Sequence, residues 1–178
     1  MKSIRNGTTR ASEQPPAAVS LVNVHKAFQG QRVLRGVSLD FAPGQTSVVL
    51  GPSGCGKSVM LKHIVGLLKP DQGEVWIDDQ RIDVLSERRL VPVRRQIGYL
   101  FQQGALFDSM NVENNVGFPL VEHTKLRRTE RRKRVHQVLD MVGMAEAMHK
   151  MPAELSGGQR KRVALARAIV LHPRVLLY

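Results

Sequence analysis

One eight-residue segment constrains the fold of this chain more than any other. It reads Gly-Pro-Ser-Gly-Cys-Gly-Lys-Ser over residues 51–58 and matches the phosphate-binding loop pattern at every fixed position. Its glycines allow backbone angles that turn successive N–H groups inward around phosphate oxygens. Lys57 would bring a positive charge to the β- and γ-phosphates, and Ser58 would offer its hydroxyl to Mg²⁺. The segment therefore predicts a nucleotide-binding protein.

The residues on either side of this loop fit the same interpretation. Residues 46–50 form a short apolar run with β-branched side chains, which predicts a buried strand. After the loop, apolar residues recur at helical spacing: Met60, Leu61, Ile64, Val65 and Leu68. A strand, a loop and a helix in this order would put the phosphates at a helix N-terminus, where the dipole and free N–H groups favour anions. A chance glycine-rich turn is the alternative, and the flanks argue against it.

A second segment, Leu155-Ser156-Gly157-Gly158-Gln159, also predicts the start of a helix. Ser156 is a good N-cap residue, and the two glycines leave the backbone open to a ligand. Apolar residues then supply one side of the helix: Val163, Ala164, Ala166, Ala168, Ile169 and Val170. The segment could therefore form a second anion site at a helix start. Without the P-loop in the same chain, however, a plain turn before a helix would be the favoured interpretation.

Together, and at this spacing, the two segments resemble the P-loop and the signature motif of ABC-type ATPases. The resemblance covers nearly all of the chain from about Ser20 onward. It implies an α/β fold, a P-loop NTPase of ABC type with an antiparallel β subdomain and a helical subdomain. It also implies that the C-terminal strands are missing from these residues.

The resemblance assigns roles to individual residues. Phe28 stands where the family has an aromatic residue that stacks on adenine, and Gln102 matches the glutamine of the Q-loop. ATP and Mg²⁺ are the implied cofactors, with Ser58 and Gln102 at the metal and Lys57 and Gln102 in the catalytic role. The implied nucleotide contacts are Phe28, Gly51, Pro52, Ser53, Gly54, Cys55, Gly56, Lys57, Ser58, Val59, Ser156, Gly157, Gly158 and Gln159. In the family, the signature motif closes over the γ-phosphate held by a partner, which implies a head-to-tail dimer with a second ATPase subunit.

Four regions are expected along the chain. Residues 1–18 are polar and contain two adjacent prolines, so a disordered tail is expected. Residues 19–103 would form the nucleotide-binding core with the P-loop and Q-loop, and residues 104–154 the helical subdomain. Residues 155–178 would supply the signature motif, its helix and the start of the Walker B strand.

A narrower resemblance concerns residues 106–124, which look like the same region in the ATPases of MCE-type systems that move phospholipid within the bacterial envelope. Many ABC importers share part of this pattern. The resemblance implies a transmembrane permease and a lipid-binding MCE-type component as partners. Since no apolar stretch approaches the length of a membrane span, the expected location is cytoplasmic, peripheral on the inner face of the plasma membrane through the permease.

The family has an acidic pair directly after an apolar strand. Here the strand begins at residues 174–178, and no acid follows within the 178 residues. Because one acid helps to hold Mg²⁺ and the other polarises the attacking water, hydrolysis by these residues alone is doubtful. On the resemblance, the leading hypothesis is an ATP-hydrolysing transport subunit of which these residues are a fragment. The alternatives are a truncated non-catalytic nucleotide-binding remnant and a soluble ABC ATPase acting on nucleic acid.

Only the charge suggests nucleic acid. The net charge is +12, and the densest basic run covers residues 125–134. Because Val135, Val138 and Leu139 continue the run at helical spacing, it is interpreted as the solvated face of an amphipathic helix. Contact with anionic lipid headgroups or an acidic partner is the alternative, and no nucleic-acid partner is expected. Cys55, the single cysteine, is read as a small residue at a variable P-loop position or as a modifiable thiol.

Overall fold

The computed structural model describes residues 17–101 and 104–178. The predicted N-terminal tail, apart from its last two residues, and Gln102 lie outside these ranges. The described residues fall into two compact units, one ending at Arg94 and the other beginning at Arg95. No helix in the described ranges is long and apolar enough to cross a membrane.

The first unit contains a four-stranded antiparallel sheet. Its strands are β1 (Val19–Phe28), β2 (Gln31–Phe41), β3 (Gln72–Ile77) and β4 (Gln80–Arg81), in the spatial order β2-β1-β3-β4. Residues that alternate along β1 and β3, including Leu21 and Val75, are buried and form one apolar face. The antiparallel β subdomain that the resemblance implied is confirmed.

Two helices complete the first unit, α1 (Lys57–Ile64) and α2 (Glu87–Arg94). Helix α1 contacts β2 and β3 and buries Met60, His63 and Ile64. It ends four residues before Leu68, the last residue of the predicted apolar pattern. Gly66 has φ +70°, its N–H donates to the His63 carbonyl, and the Leu67 N–H donates to the Lys62 carbonyl. These two bonds form a Schellman motif, which ends the helix at a left-handed glycine.

The predicted strand over residues 46–50 is wrong for this structure. Residues 45–50 have no regular secondary structure, and Val48 and Leu50 are 74% and 86% exposed. A central strand of a parallel sheet needs neighbouring strands to pair its N–H and C=O groups and to cover its apolar side chains. Neither sheet within the described ranges includes this segment, so apolar composition alone does not make it a strand.

The second unit is mainly helical. Its elements are β5 (Ile97–Tyr99), α3 (Val112–His123), α4 (Arg128–Met141), α5 (Gly157–Ile169) and β6 (Val175–Leu177), with short 3-10 helices at Ala145–Ala147 and Pro152–Glu154. Strands β5 and β6 pair in parallel. Residues 104–154 contain α3, α4 and both 3-10 helices, and β6 lies within residues 155–178.

The core of the second unit lies between α3, α4 and α5. The three helices and the segments beside them contribute its apolar residues, which are all at most 8% exposed: Val112, Val116, Leu120, Val135, Val138, Leu139, Met144, Ala147, Leu155, Val163, Ala166 and Val170. Helix α4 ends before Gly143, which has φ +65°, the left-handed conformation that commonly follows a helix end. This core holds the start of α5 and the segment after Gln102 on one compact body.

Candidate nucleotide-binding site

The P-loop precedes α1 in the first unit and leaves the start of that helix open. Gly56 is the N-cap residue, with φ +99°, and no side chain caps the helix. The first N–H groups of a helix have no partner within the helix. In this loop they are therefore available to an anion, which the helix dipole also favours.

Gly56 is a position where only glycine fits without adjustment. A Cβ added there would lie 2.9 Å from Leu34 Cδ2 and 3.2 Å from the Val33 carbonyl oxygen, and the positive φ disfavours any L side chain. Strand β2 therefore packs directly against the end of the P-loop. The sequence pattern identified the glycine, and the structure supplies the reason for it.

Lys57 occupies the first position of α1, and its side chain turns back over the loop. Its ammonium group donates hydrogen bonds to the carbonyl oxygens of Gly51 and Pro52, each at 2.8 Å. The Cys55 sulfur lies 3.7 Å from the same nitrogen. The positive charge thus lies within the turn of the loop, where phosphate oxygens would replace the carbonyl contacts. Ser58 follows on the helix with an exposed side chain.

Cys55 is exposed to solvent, and its sulfur lies next to other residues of the same loop. A Cβ added to Gly51 would lie 2.8 Å from its sulfur. The sulfur is therefore beside the backbone that the motif assigns to phosphate, and a bulky group attached to it would occupy that space.

Phe28 lies at the end of β1, next to a tight turn into β2. The two turn residues, Gln29 and Gly30, both have positive φ, as a type I′ hairpin requires. The ring is 41% exposed, so it is available for stacking. Since β2 continues from this turn to the residues that touch Gly56, the hairpin carrying Phe28 is attached to the P-loop.

Lys26 and Asp71 hold the base of this hairpin. The Lys26 ammonium donates to Asp71 Oδ1 at 2.7 Å and to the Lys69 carbonyl at 2.9 Å, and it lies 5.6 Å from the centre of the Phe28 ring. The Lys26 hydrogen bond, with a second one from the Ala27 N–H, lowers the pKa of the Asp71 carboxyl group. Asp71 is thus kept ionised and joins β1 to the chain before β3.

The signature segment starts α5 in the second unit, as the sequence predicted. Ser156 is the N-cap residue, and its hydroxyl accepts the Gln159 N–H at 3.2 Å. The Gln159 side-chain oxygen accepts the Ser156 N–H at 2.8 Å, which completes a capping box. A Cβ added to Gly157 or Gly158 would meet nothing within 4 Å, so this backbone faces open space. The helix start has room for a ligand.

Two further residues order residues 104–111, and sequence reasoning did not identify their roles. Arg167 on α5 donates to the Gly104 carbonyl at 2.9 Å, and its guanidinium carbon lies 5.5 Å from the centre of the Phe107 ring. Burial lowers the pKa of Arg167 from its ordinary value. The one sequence signal was a charged residue between Ala166 and Ala168 on the apolar side of a helix.

Asn115 is the second of these residues and is fully buried on α3. Its side chain accepts the Phe107 N–H at 2.8 Å and donates to the carbonyl oxygens of Phe107, Met110 and Asn111. Four hydrogen bonds from one amide fix the turn over residues 107–111. Its sequence signal was a polar residue in the apolar pattern of α3.

Comparison with known proteins agrees with these features. The family model described as ABC transporter matches residues 34–178. A probable ribonucleotide transport ATP-binding protein, mkl of Mycobacterium leprae, is 46% identical over 160 residues, which are 90% of this chain and 46% of that protein. The intermembrane phospholipid transport system ATP-binding protein MlaF of Escherichia coli K12 is 44% identical over 142 residues, 80% of this chain and 53% of that protein. The chain thus spans about half the length of these relatives.

A solved structure shows the same fold. The ATP-binding cassette MJ0796, in a dimeric post-hydrolysis state bound to ADP and Pi, has a TM-score of 0.83 and 37% identity. The match covers 89% of this chain and 72% of that chain. This likeness confirms the expected fold class. Since the P-loop, the capped signature helix and the family match all indicate the same family, the chain belongs to the ABC transporter family of ATP-binding cassettes.

Proposed function

We propose that this chain binds Mg-ATP through the P-loop as the nucleotide-binding subunit of an ABC transporter. The observation that carries the proposal is the open N-terminus of α1, where Gly56 leaves the first N–H groups uncapped and Lys57 lies over the turn of the loop. Phe28 stacks on the adenine, and the backbone from Gly51 to Val59 surrounds the phosphates. Ser58 and Gln102 contact the Mg²⁺ ion.

The signature segment completes a nucleotide site in a second subunit. The open backbone at Gly157 and Gly158 supports this role, since it leaves a helix start accessible to a phosphate group. The partner is a second ATPase subunit arranged head to tail. The related cassette MJ0796 has been described as a dimer, which supports the proposal by analogy.

ATP hydrolysis is the proposed activity of the whole protein. Lys57 and Gln102 position the γ-phosphate and the metal. Carboxylates that follow the β6 strand in the family hold Mg²⁺ and polarise the attacking water. Binding of ATP and its hydrolysis would alternately close and open the subunit pair, and this motion would drive a transmembrane permease. The subunit would lie on the cytoplasmic face of the plasma membrane through that permease.

Phospholipid is the proposed transported substrate, with an MCE-type component as a further partner. Similarity to MlaF, whose name specifies intermembrane phospholipid transport, supports this substrate. The mycobacterial relative is named for probable ribonucleotide transport and favours a second candidate. Transport of a ribonucleotide is therefore the alternative.

One reconstitution tests both the activity and the substrate. The whole protein and its permease, placed in donor vesicles, should transfer a fluorescent phospholipid to acceptor vesicles only when Mg-ATP is present. Lys57→Ala should abolish the transfer, because it removes the charge at the phosphates, whereas Lys62→Ala on the exposed side of α1 should not. ATP-driven movement of a labelled ribonucleotide, without phospholipid transfer, would support the second candidate instead.

A further inference from the structure

The end of the α3–α4 hairpin concentrates positive charge. We define the basic tip as residues 121–134, from the last turn of α3 through the loop into the first two turns of α4. It contains seven Lys and Arg residues and two Glu residues. These fourteen residues therefore carry a net charge of +5 from Lys, Arg and Glu.

Most of these cations have no partner. Arg132 pairs with Glu113 at 3.2 Å, and Arg134 donates to the Val170 carbonyl. The Glu130 carboxylate accepts the Arg127 N–H at 2.7 Å, so it serves as a backbone cap for α4. Within the described ranges, five side chains of the tip make no hydrogen bond or ion pair: Lys125, Arg127, Arg128, Arg131 and Lys133. They are available to an external anion.

The position of the charges works against the helix that carries them. Arg127 is the N-cap residue of α4 and Arg128 is its first residue. A helix N-terminus carries a partial positive charge, so cations there are disfavoured, and neighbouring cations repel each other as well. The helix is held by burial of Val135, Val138 and Leu139 on its inner side. The basic residues therefore destabilise α4, and an anionic partner would offset that destabilisation.

Exposed apolar side chains lie among the cations. Val121 is 53% exposed and Leu126 is 39% exposed. Leu126 also lines a groove of about 390 Å³ with Leu120, Val170 and Leu171, and Lys133 and Arg134 lie along the same groove. A basic surface with a few projecting apolar side chains is the chemistry of proteins that bind at a membrane interface.

We propose that the basic tip binds the surface of a membrane containing anionic phospholipids. Its cations would lie among the headgroups, and Val121 and Leu126 would enter the boundary with the acyl chains. The tip contains no Phe, Tyr or Trp to stack on bases, which disfavours single-stranded nucleic acid as the partner. This contact is separate from the nucleotide site and goes beyond the proposed transport function.

Sedimentation with vesicles of defined composition tests the proposal directly on this chain. The chain should bind vesicles of phosphatidylcholine with phosphatidylglycerol and release them at high salt, and it should not bind pure phosphatidylcholine. The variant K125Q/R127Q/R128Q should bind about 100-fold more weakly, at about fivefold per charge removed. The matched control R88Q/R89Q/R95Q removes the same total charge from exposed arginines outside the tip. It should bind nearly as well as the unaltered chain.

A fluorescent reporter tests the location of the contact. In Val121→Trp, emission should shift to the blue when anionic vesicles are added, because the new indole enters the interface. The native Trp76 is 4% exposed and should give a constant background. Equal weakening in the two triple variants, or equal binding to neutral vesicles, would overturn the proposal. Retention by duplex DNA without any binding to anionic vesicles would overturn it too, and would assign the tip to nucleic acid.

Discussion

Replacing Asn115 with alanine should destabilise the second unit strongly. The side chain is fully buried and makes four hydrogen bonds to the turn over residues 107–111. Two of the bonded groups keep another donor after the change, since the Phe107 carbonyl also accepts the Met110 N–H and the Asn111 carbonyl also accepts the Asn115 N–H. The Phe107 N–H and the Met110 carbonyl would lose their partner.

The size of the effect follows from these two groups. Leaving a fully buried donor or acceptor unsatisfied costs about 1–3 kcal/mol. Because both of these bonds are only part-buried, a loss at the low end of that range is expected for each, or about 2 kcal/mol in the free energy of unfolding. Urea denaturation followed by circular dichroism measures this loss as a lower midpoint with an unchanged slope. Asn115→Leu should be no better than Asn115→Ala, because it fills the space but restores neither hydrogen bond.

The neighbouring residue provides a matched control for this prediction. Asn114 is exposed on the same turn of α3, and its side chain makes no hydrogen bond within the described ranges. Asn114→Ala should change the free energy of unfolding by no more than about 0.5 kcal/mol. If the two alanine variants lost similar amounts, or if Asn115→Leu restored the stability, the hydrogen-bond account of this turn would be wrong.

Three further predictions concern the first unit. Alkylation of Cys55 should block ATP binding and ATP should slow the alkylation; normal ATP affinity of the alkylated chain would show that the sulfur lies elsewhere. Gly56→Ala should abolish ATP binding because a Cβ would press on Leu34 and would need an unfavourable φ, so unchanged binding would refute that constraint. Burial lowers the pKa of His63, whose Nδ1 donates to the Val59 carbonyl and whose charged neighbours are Lys26 and Asp71. As the pH falls below about 6.5, this histidine therefore binds a proton in the unfolded chain before it does so in the folded chain. The free energy of unfolding should therefore decrease as the pH is lowered through that window. His63→Phe should reduce this dependence on pH, measured by urea denaturation at several pH values, while the exposed control His136→Phe should not.

The parts that the sequence predicted well are those set by local chemistry. The Ser156 cap and the start of α5 each depend on a few adjacent residues. The P-loop was recognisable for the same reason, because its fixed glycines and Lys57 serve one local geometry. Family resemblance then supplied the fold class, which no local pattern contains.

The parts that were missed depend on contacts between distant residues. Residues 46–50 have the composition of a strand, but a strand exists only where a neighbour pairs with it. Arg167 and Asn115 act on residues 104–111 through bonds that no spacing rule predicts.

The most direct test of the account is the affinity of the chain for Mg-ATP, measured by titration with a fluorescent ATP analogue. Saturable, Mg²⁺-dependent binding is expected, and it should fall at least tenfold in Lys57→Ala, since that variant loses a charge-assisted contact to the phosphates. Lys62→Ala removes the same charge from the same helix, away from the loop, and should bind as the unaltered chain does. Equal affinity of a folded Lys57→Ala variant and the unaltered chain would contradict the assignment of this loop as the nucleotide site.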